Sequence, residues 1–330
     1  MRVNSLPEPS PTGRRPRFER AEGPGFVLTE RDEDIIKLVA RHRFMRSTHI
    51  IALIAATHPG SSEQQIVRRL RHLFDAGYLS RPKAQVDQYR AGAGSSPMVY
   101  ILGNHGIALL AAKFGFRRAA VDWTAKARTA KRGEIEHAIE VTDFMVALDV
   151  ACRRRGTLRV LYFDEILATV APEETRVNPK PYFWRVPVTF RRREAVIHPI
   201  PDQIFGIVAL DRPAGRNRKF FFFEADRGTM PAVRLDLSKT SFLRKLLAYG
   251  ETYRRDLHTQ IYGFPNMRVL TVTRGRKRVD SIIAAHREHT WQLCAPGVFL
   301  FADRTTLLGT EDFFSYQWLD AAGERHSFLE

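Results

Sequence analysis

The sequence predicts an α+β/α/β chain of two domains, a small helical domain closed by a β-hairpin and a larger domain built on a mixed sheet. Three observations predict it. Three short amphipathic segments joined by tight turns follow one another before Gly77. The apolar pattern then switches to strand-like runs, YLSRP and MVYIL, on either side of the polar, Gly-rich turn QYRAGAGSSP. Beyond a stretch rich in Lys and Arg and poor in apolar residues, helical and strand-like segments alternate as far as Phe264.

Composition supports two real cores. The chain has 330 residues, 44% of them hydrophobic, which suits globular packing. Its formal charge of +16 describes a surface that meets polyanions, either nucleic acid or an acidic membrane surface. No apolar run approaches the roughly 20 residues needed to cross a bilayer, so no membrane insertion is expected. Residues 1–27 carry arginines but no apolar leader core, and their Pro, Gly and Ser content reads as a flexible tail; the expected location is cytoplasmic. Cys152 and Cys294 are too few for a disulfide framework and lack zinc-site spacing, so both read as buried, inert thiols.

The first domain is expected over residues 28–114. Thr29 caps a helix that runs to about Arg41, with Asp32 at its third position and Leu28, Ile35, Ile36 and Val39 on one face. Ser47 or Thr48 caps a second helix through Ala55, and the turn THPGSS leads into a third from about Ser62 to Ala76. In this third helix Ile66, Val67, Leu70, Leu73 and Phe74 form the apolar stripe, which leaves Gln64, Gln65, Arg68, Arg71 and His72 for bases and phosphates. Gly77 ends it, and the hairpin follows. Three helices and then a hairpin make a winged helix-turn-helix. Its third helix is expected to enter the major groove of double-stranded DNA, with Arg81, Lys83 and Arg90 of the wing along the backbone or minor groove; the alternative is that Arg68, Arg71 and His72 only solvate an ordinary helical surface. A further helix, HGIALLAAKFG, extends the domain, and residues 115–133 read as a basic linker.

The second domain is expected over residues 134–330, including a C-terminal extension. A helix from Glu134 to Arg155 leads to the strand LRVLYF, a Pro-rich excursion containing YFWRVPVTF, and a strand around HPIPDQIFGIVAL. The turn DRPAGRNR, the strand KFFFFEAD, a helix from Ser238 to about Arg255 and the strand MRVLTVT follow. The basic run RGRKR at 274–278 reads equally as a clamp on a nucleic-acid backbone or as a solvated turn. The aromatic segments VFLFAD and FFSYQWLD read as the last packed part of the domain. His105, His137 and His198 have no spacing that names a metal site and read as core or surface residues.

Acids stand near the ends of two strands: Asp202, and Glu224 with Asp226. Strand side chains alternate, so Glu224 and Asp226 share a face opposite Phe221, Phe223 and Ala225. If the two strands pair, three carboxylates converge, as hard oxygen ligands do around a magnesium ion. Solvated strand ends are the alternative.

Pro201-Asp202 and Glu224-Ala225-Asp226, set in a helix-strand-strand-strand-helix-strand order, resemble the PD-(D/E)xK superfamily of restriction-endonuclease-like domains. The span from about Leu28 to Phe264, with HAIEVTDF, the PD pair, FFFEADRGT and a helix containing Lys239, Lys245 and Tyr249, resembles the replication-relaxation family of plasmid and mobile-element proteins. The resemblance implies a nuclease-like fold, a role in plasmid replication or DNA relaxation, and Mg2+ (or Mn2+) at Asp202, Glu224 and Asp226, with Glu140 as a further ligand. The sequence departs from the superfamily where Asp226 stands in place of the motif's lysine, which would offset charge in the transition state. Lys239 or Lys245 is left to supply a displaced ammonium. The preferred expectation is a degenerate nuclease-like domain serving as a DNA-binding or assembly platform. Three others stay open: an active endonuclease or nickase, a transcriptional regulator that forms a homodimer, and an adaptor that touches DNA through charge alone.

Overall fold

The computed structural model describes residues 17–21, 27–85, 96–114, 126–327 and 329. The chain divides into two compact units, Met1–Ile135 and Glu136–Glu330. Among the described residues no helix is long and apolar enough to cross a membrane.

In the first unit, α1 (Glu30–His42) opens on Thr29, whose side chain takes the Asp32 N–H while Asp32 takes the Thr29 N–H. After it come β1 (Met45–Arg46), α2 (Ser47–Thr57) and α3 (Glu63–Asp75), the last opened by a reciprocal cap between Ser62 and Gln65. Ile35, Ile36, Val39, Ile50, Leu53, Ile54, Ile66, Leu70 and Leu73 are shut away from solvent and form the core. Val67 departs from the expected stripe and is 45% exposed. It stands three residues after Gln64 and four before Arg71, so helical geometry puts it on the polar face.

Gly77 follows α3 at φ +80°, a conformation that side chains disfavour, and turns the chain into β2 (Leu79–Ser80). β3 (Val99–Leu102) returns antiparallel to β2 and leads into α4 (Asn104–Phe114). The expected hairpin has a third member, because β1 pairs with the other edge of β3 through Met45↔Tyr100, giving the order β1-β3-β2.

The second unit is mixed α/β. α5 (Arg132–Arg155) leads to β4 (Leu158–Tyr162), α6 (Phe163–Thr169) and α7 (Glu173–Val177), then β5 (Val186–Phe190), β6 (Arg193–Ile197), β7 (Gln203–Ala209) and β8 (Arg218–Asp226). α8 (Phe242–Arg254), α9 (Leu257–Tyr262), β9 (Arg268–Thr273), α10 (Arg276–His289), β10 (Phe299–Asp303), α11 (Arg304–Gly309), β11 (Trp318–Asp320) and β12 (Arg325–His326) complete it. The main sheet has seven strands in the order β12-β11-β10-β9-β8-β7-β4, parallel from β8 to β10 and antiparallel elsewhere.

Strand β8 lies in the interior of this sheet, which explains its unbroken aromatic run. Phe221 and Phe223 join Phe144 and Leu148 of α5 on one side, while Phe220 and Phe222 join Leu246 and Tyr249 of α8 on the other. Two segments differ from their sequence reading. The Pro-rich excursion folds into α6, α7 and the β5–β6 hairpin, whose Val186, Val188 and Phe190 alternate into the core. The helix expected from Ser238 starts at Phe242, because Ser241 caps it and Asp236 holds Ser238 in the preceding turn.

Candidate functional site

The exposed face of α3 is the first candidate. Gln64, Gln65, Arg68 and Arg71 are exposed and His72 is half-buried. Gln65 accepts the Ser62 N–H at 3.1 Å, so it also has a capping role, and Arg71 Nε lies 4.0 Å from Asp75. Arg31, Gln65, Arg68, Arg69 and His72 line a cleft of about 330 Å³. Arg69, not singled out from sequence, pairs with Asp32 through Nε–Oδ1 at 2.9 Å and a second close contact from Nη2. Burial works against the Asp32 carboxylate, yet hydrogen bonds from Arg69 and Thr29 hold it below the usual carboxylate range.

The wing residues divide. Arg81 turns inward, 3.9 Å from the Phe74 ring, and donates to the Tyr100 hydroxyl at 3.2 Å, so its cation serves local packing. Lys83 is exposed in the short turn Lys83–Gln85. Arg90 lies outside the described residues.

The second candidate is the set of acids where β7 and β8 meet. Asp202 bridges two neighbours: its Oδ2 accepts the Ala225 N–H at 2.8 Å and its Oδ1 lies 2.9 Å from His137 Nε2 on α5. Burial would raise the Asp202 carboxyl, but His137 and the nearby Lys245 charge hold it low, and the same hydrogen bond raises the His137 imidazole above its ordinary value. Glu224 is almost fully buried. Tyr249 donates to its Oε1 at 2.6 Å and Lys245 contacts its Oε2. Burial pushes Glu224 up to about 7 against the pull of Lys245. Burial opposes the Lys245 ammonium as well, and Glu224 and Asp202 overcome it and raise it above a free lysine.

Asp226 receives Arg278 of α10 through Nε at 2.6 Å and Nη2 at 3.2 Å. Arg278 belongs to the RGRKR run, whose last three residues form the first turn of α10. One of its arginines is therefore an internal counter-ion.

Glu140 meets cations instead of the other acids. The last residues of β8, β9 and β10 are in register, Asp226↔Thr273 and Asp303↔Thr273, and each is followed by an arginine. Arg304 reaches Glu140 Oε1 at 2.8 Å, with Arg274 at 3.7 Å and Arg227 at 3.9 Å. Arg304 also pairs with Asp143 and Arg227 with Glu136, both at 2.6 Å. Lys239 is exposed in the turn before α8.

The arrangement does not fit a divalent ion as it stands. Both oxygens of Asp202, Glu224 and Asp226 already accept hydrogen bonds or ion pairs. Among the described residues no group of three His, Cys, Asp or Glu side chains is placed to share an ion. His137 and Arg278 are the members of this network that sequence reasoning missed. An acid with no lysine beside it was the available signal, since a buried carboxylate requires a cation from elsewhere.

Residues 36–267 match the family model described as replication-relaxation, a span that contains α3 and all three acids. No curated protein and no solved structure matches the chain.

Proposed function

The chain belongs to the replication-relaxation family, and from that premise we propose that it binds duplex DNA in the replication or relaxation of a plasmid or mobile element. The N-terminal unit acts as a winged helix-turn-helix. The observation that carries this reading is the face of α3, where Gln64, Arg68 and Arg71 stand exposed. Arginine and glutamine suit the acceptor and donor edges of the major groove, and the exposed Val67 among them suits a thymine methyl.

The second unit serves as a platform with a PD-(D/E)xK-like core. Supporting that reading, α5, β4, β7, β8, α8 and β9 keep the order helix-strand-strand-strand-helix-strand, with α6, α7 and the β5–β6 hairpin inserted after β4 and α9 after α8, and the four strands lie adjacent in the order β4-β7-β8-β9. Asp202 directly precedes the second strand and Glu224 lies near the end of the third. Cleavage is not part of the proposal, because each carboxylate is neutralised within the fold. One observation favours an endonuclease instead: Lys245, from the helix after β8, already touches Glu224 where a displaced motif lysine would act. That reading requires Asp202 and Glu224 to leave their present partners.

Footprinting of the full chain on plasmid fragments tests the binding. A protected site is expected, and Arg68→Ala should cost about 1–3 kcal/mol on it while relaxing sequence preference. Equal loss on every sequence would make Arg68 a phosphate contact, and no protected site at any protein concentration would remove the reading.

A further inference from the structure

The β5–β6 hairpin closes on two residues, Arg191 and Arg192, because Phe190 pairs with Arg193. Both have positive φ, 50° and 62°. A two-residue loop with positive φ at both positions is the type I′ turn, which favours Asn-Gly because a side chain is disfavoured there. Among the described residues the other non-glycine positions with positive φ, Arg43 and Asp256, lie at helix ends. Two consecutive arginines at a hairpin tip are thus a locally unfavourable choice.

Packing does not require them. The ribbon is anchored by Val186, Val188, Phe190 and Ile197, which enter the same core as α8. Arg191, Arg192 and Arg193 are exposed, and Arg191 lies 5.7 Å from the ring of its own neighbour, Phe190. Strain kept at an exposed, charged position is the pattern of a ligand contact. Guanidinium groups match phosphate oxygens in pairs, and the ligand that suits adjacent arginines on a chain of charge +16 is a phosphodiester backbone. We infer that the Arg191-Arg192-Arg193 tip is a second DNA-binding element, which holds duplex phosphates without regard to sequence. The inference rests on the duplex-DNA reading above and adds a contact distinct from α3.

The test replaces the turn with the pair its backbone prefers. Arg191→Asn/Arg192→Gly in the full chain should raise the melting temperature by a few degrees, since strain is removed. The same variant should weaken binding equally on a mixed-sequence duplex and on the footprinted site. Its slope of log affinity against log salt should fall by about 2, one for each phosphate that is no longer neutralised. Arg191→Gln/Arg192→Gln, which keeps side-chain length, should show the same fall in slope even if the first variant misfolds. An unchanged slope and affinity in a folded variant, with wild type binding normally, overturns this inference alone and leaves the tip a strained surface turn. A wild-type chain that binds no duplex overturns both this inference and the reading beneath it.

Discussion

On α3, Gln64, Arg68 and Arg71 face solvent, whereas at the β7–β8 junction Glu224 and Asp226 are buried, Asp202 is half-buried, and each meets a partner from another element. The two regions differ in where the partners of their polar groups come from. A buried carboxylate without a counter-ion is too costly to keep, so the fold recruits His137, Lys245 and Arg278. An exposed arginine carries no such requirement and stays available to a ligand. Availability therefore separates the candidate binding face from the candidate catalytic one better than residue type does.

The sharpest way to break that contrast is to remove a counter-ion. Arg278→Ala leaves Asp226, whose side chain is 3% exposed, without its cation and should cost about 3–5 kcal/mol in urea unfolding. Asp226→Ala added to it should recover most of the loss. If Arg278→Ala is silent, the acids are solvated and the comparison fails. Within α3 the same logic divides neighbours: Arg69→Ala strands the fully buried Asp32 and should destabilise by a similar amount. Arg68→Ala, one residue away, should stay within about 0.5 kcal/mol of wild type. Equal stability effects at Arg68 and Arg69 would erase the distinction between internal and available charges.

A smaller effect follows pH. The raised His137 imidazole contributes stability that is fully present below about 6.5 and is lost as pH rises through its elevated folded value. The depressed Asp202 carboxyl contributes stability present above about 4 and lost as pH falls through its lowered folded value. The stability difference between wild type and His137→Gln should therefore be largest between those values and shrink at higher pH. It should stay under about 1 kcal/mol, since 37% of the His137 side chain meets solvent. A difference that grows as pH rises contradicts the assigned pairing.

What could be read in advance follows the same division. Thr29 and Ser62 announce their helices because capping is local, and the FFFF run announces a strand, while its place inside the sheet, with both faces covered, emerges only from the fold. The β5–β6 hairpin is hard to read: its Arg-Arg turn lacks the Gly or Asn that marks such loops, and Pro187 argues against a strand. The ion pairs are harder still. Arg278 lies 52 residues from Asp226 along the chain and His137 lies 65 from Asp202, so only the folded sheet brings them together. His137 taken alone has no spacing to mark it.

The most direct test incubates wild type and Asp202→Asn/Glu224→Gln with supercoiled plasmid in magnesium or manganese and separates the products on agarose. Both proteins should shift the plasmid equally, and neither should nick or linearise it. Cutting by wild type, absent from the variant, would contradict the platform role and make Lys245 the working lysine of an active nuclease.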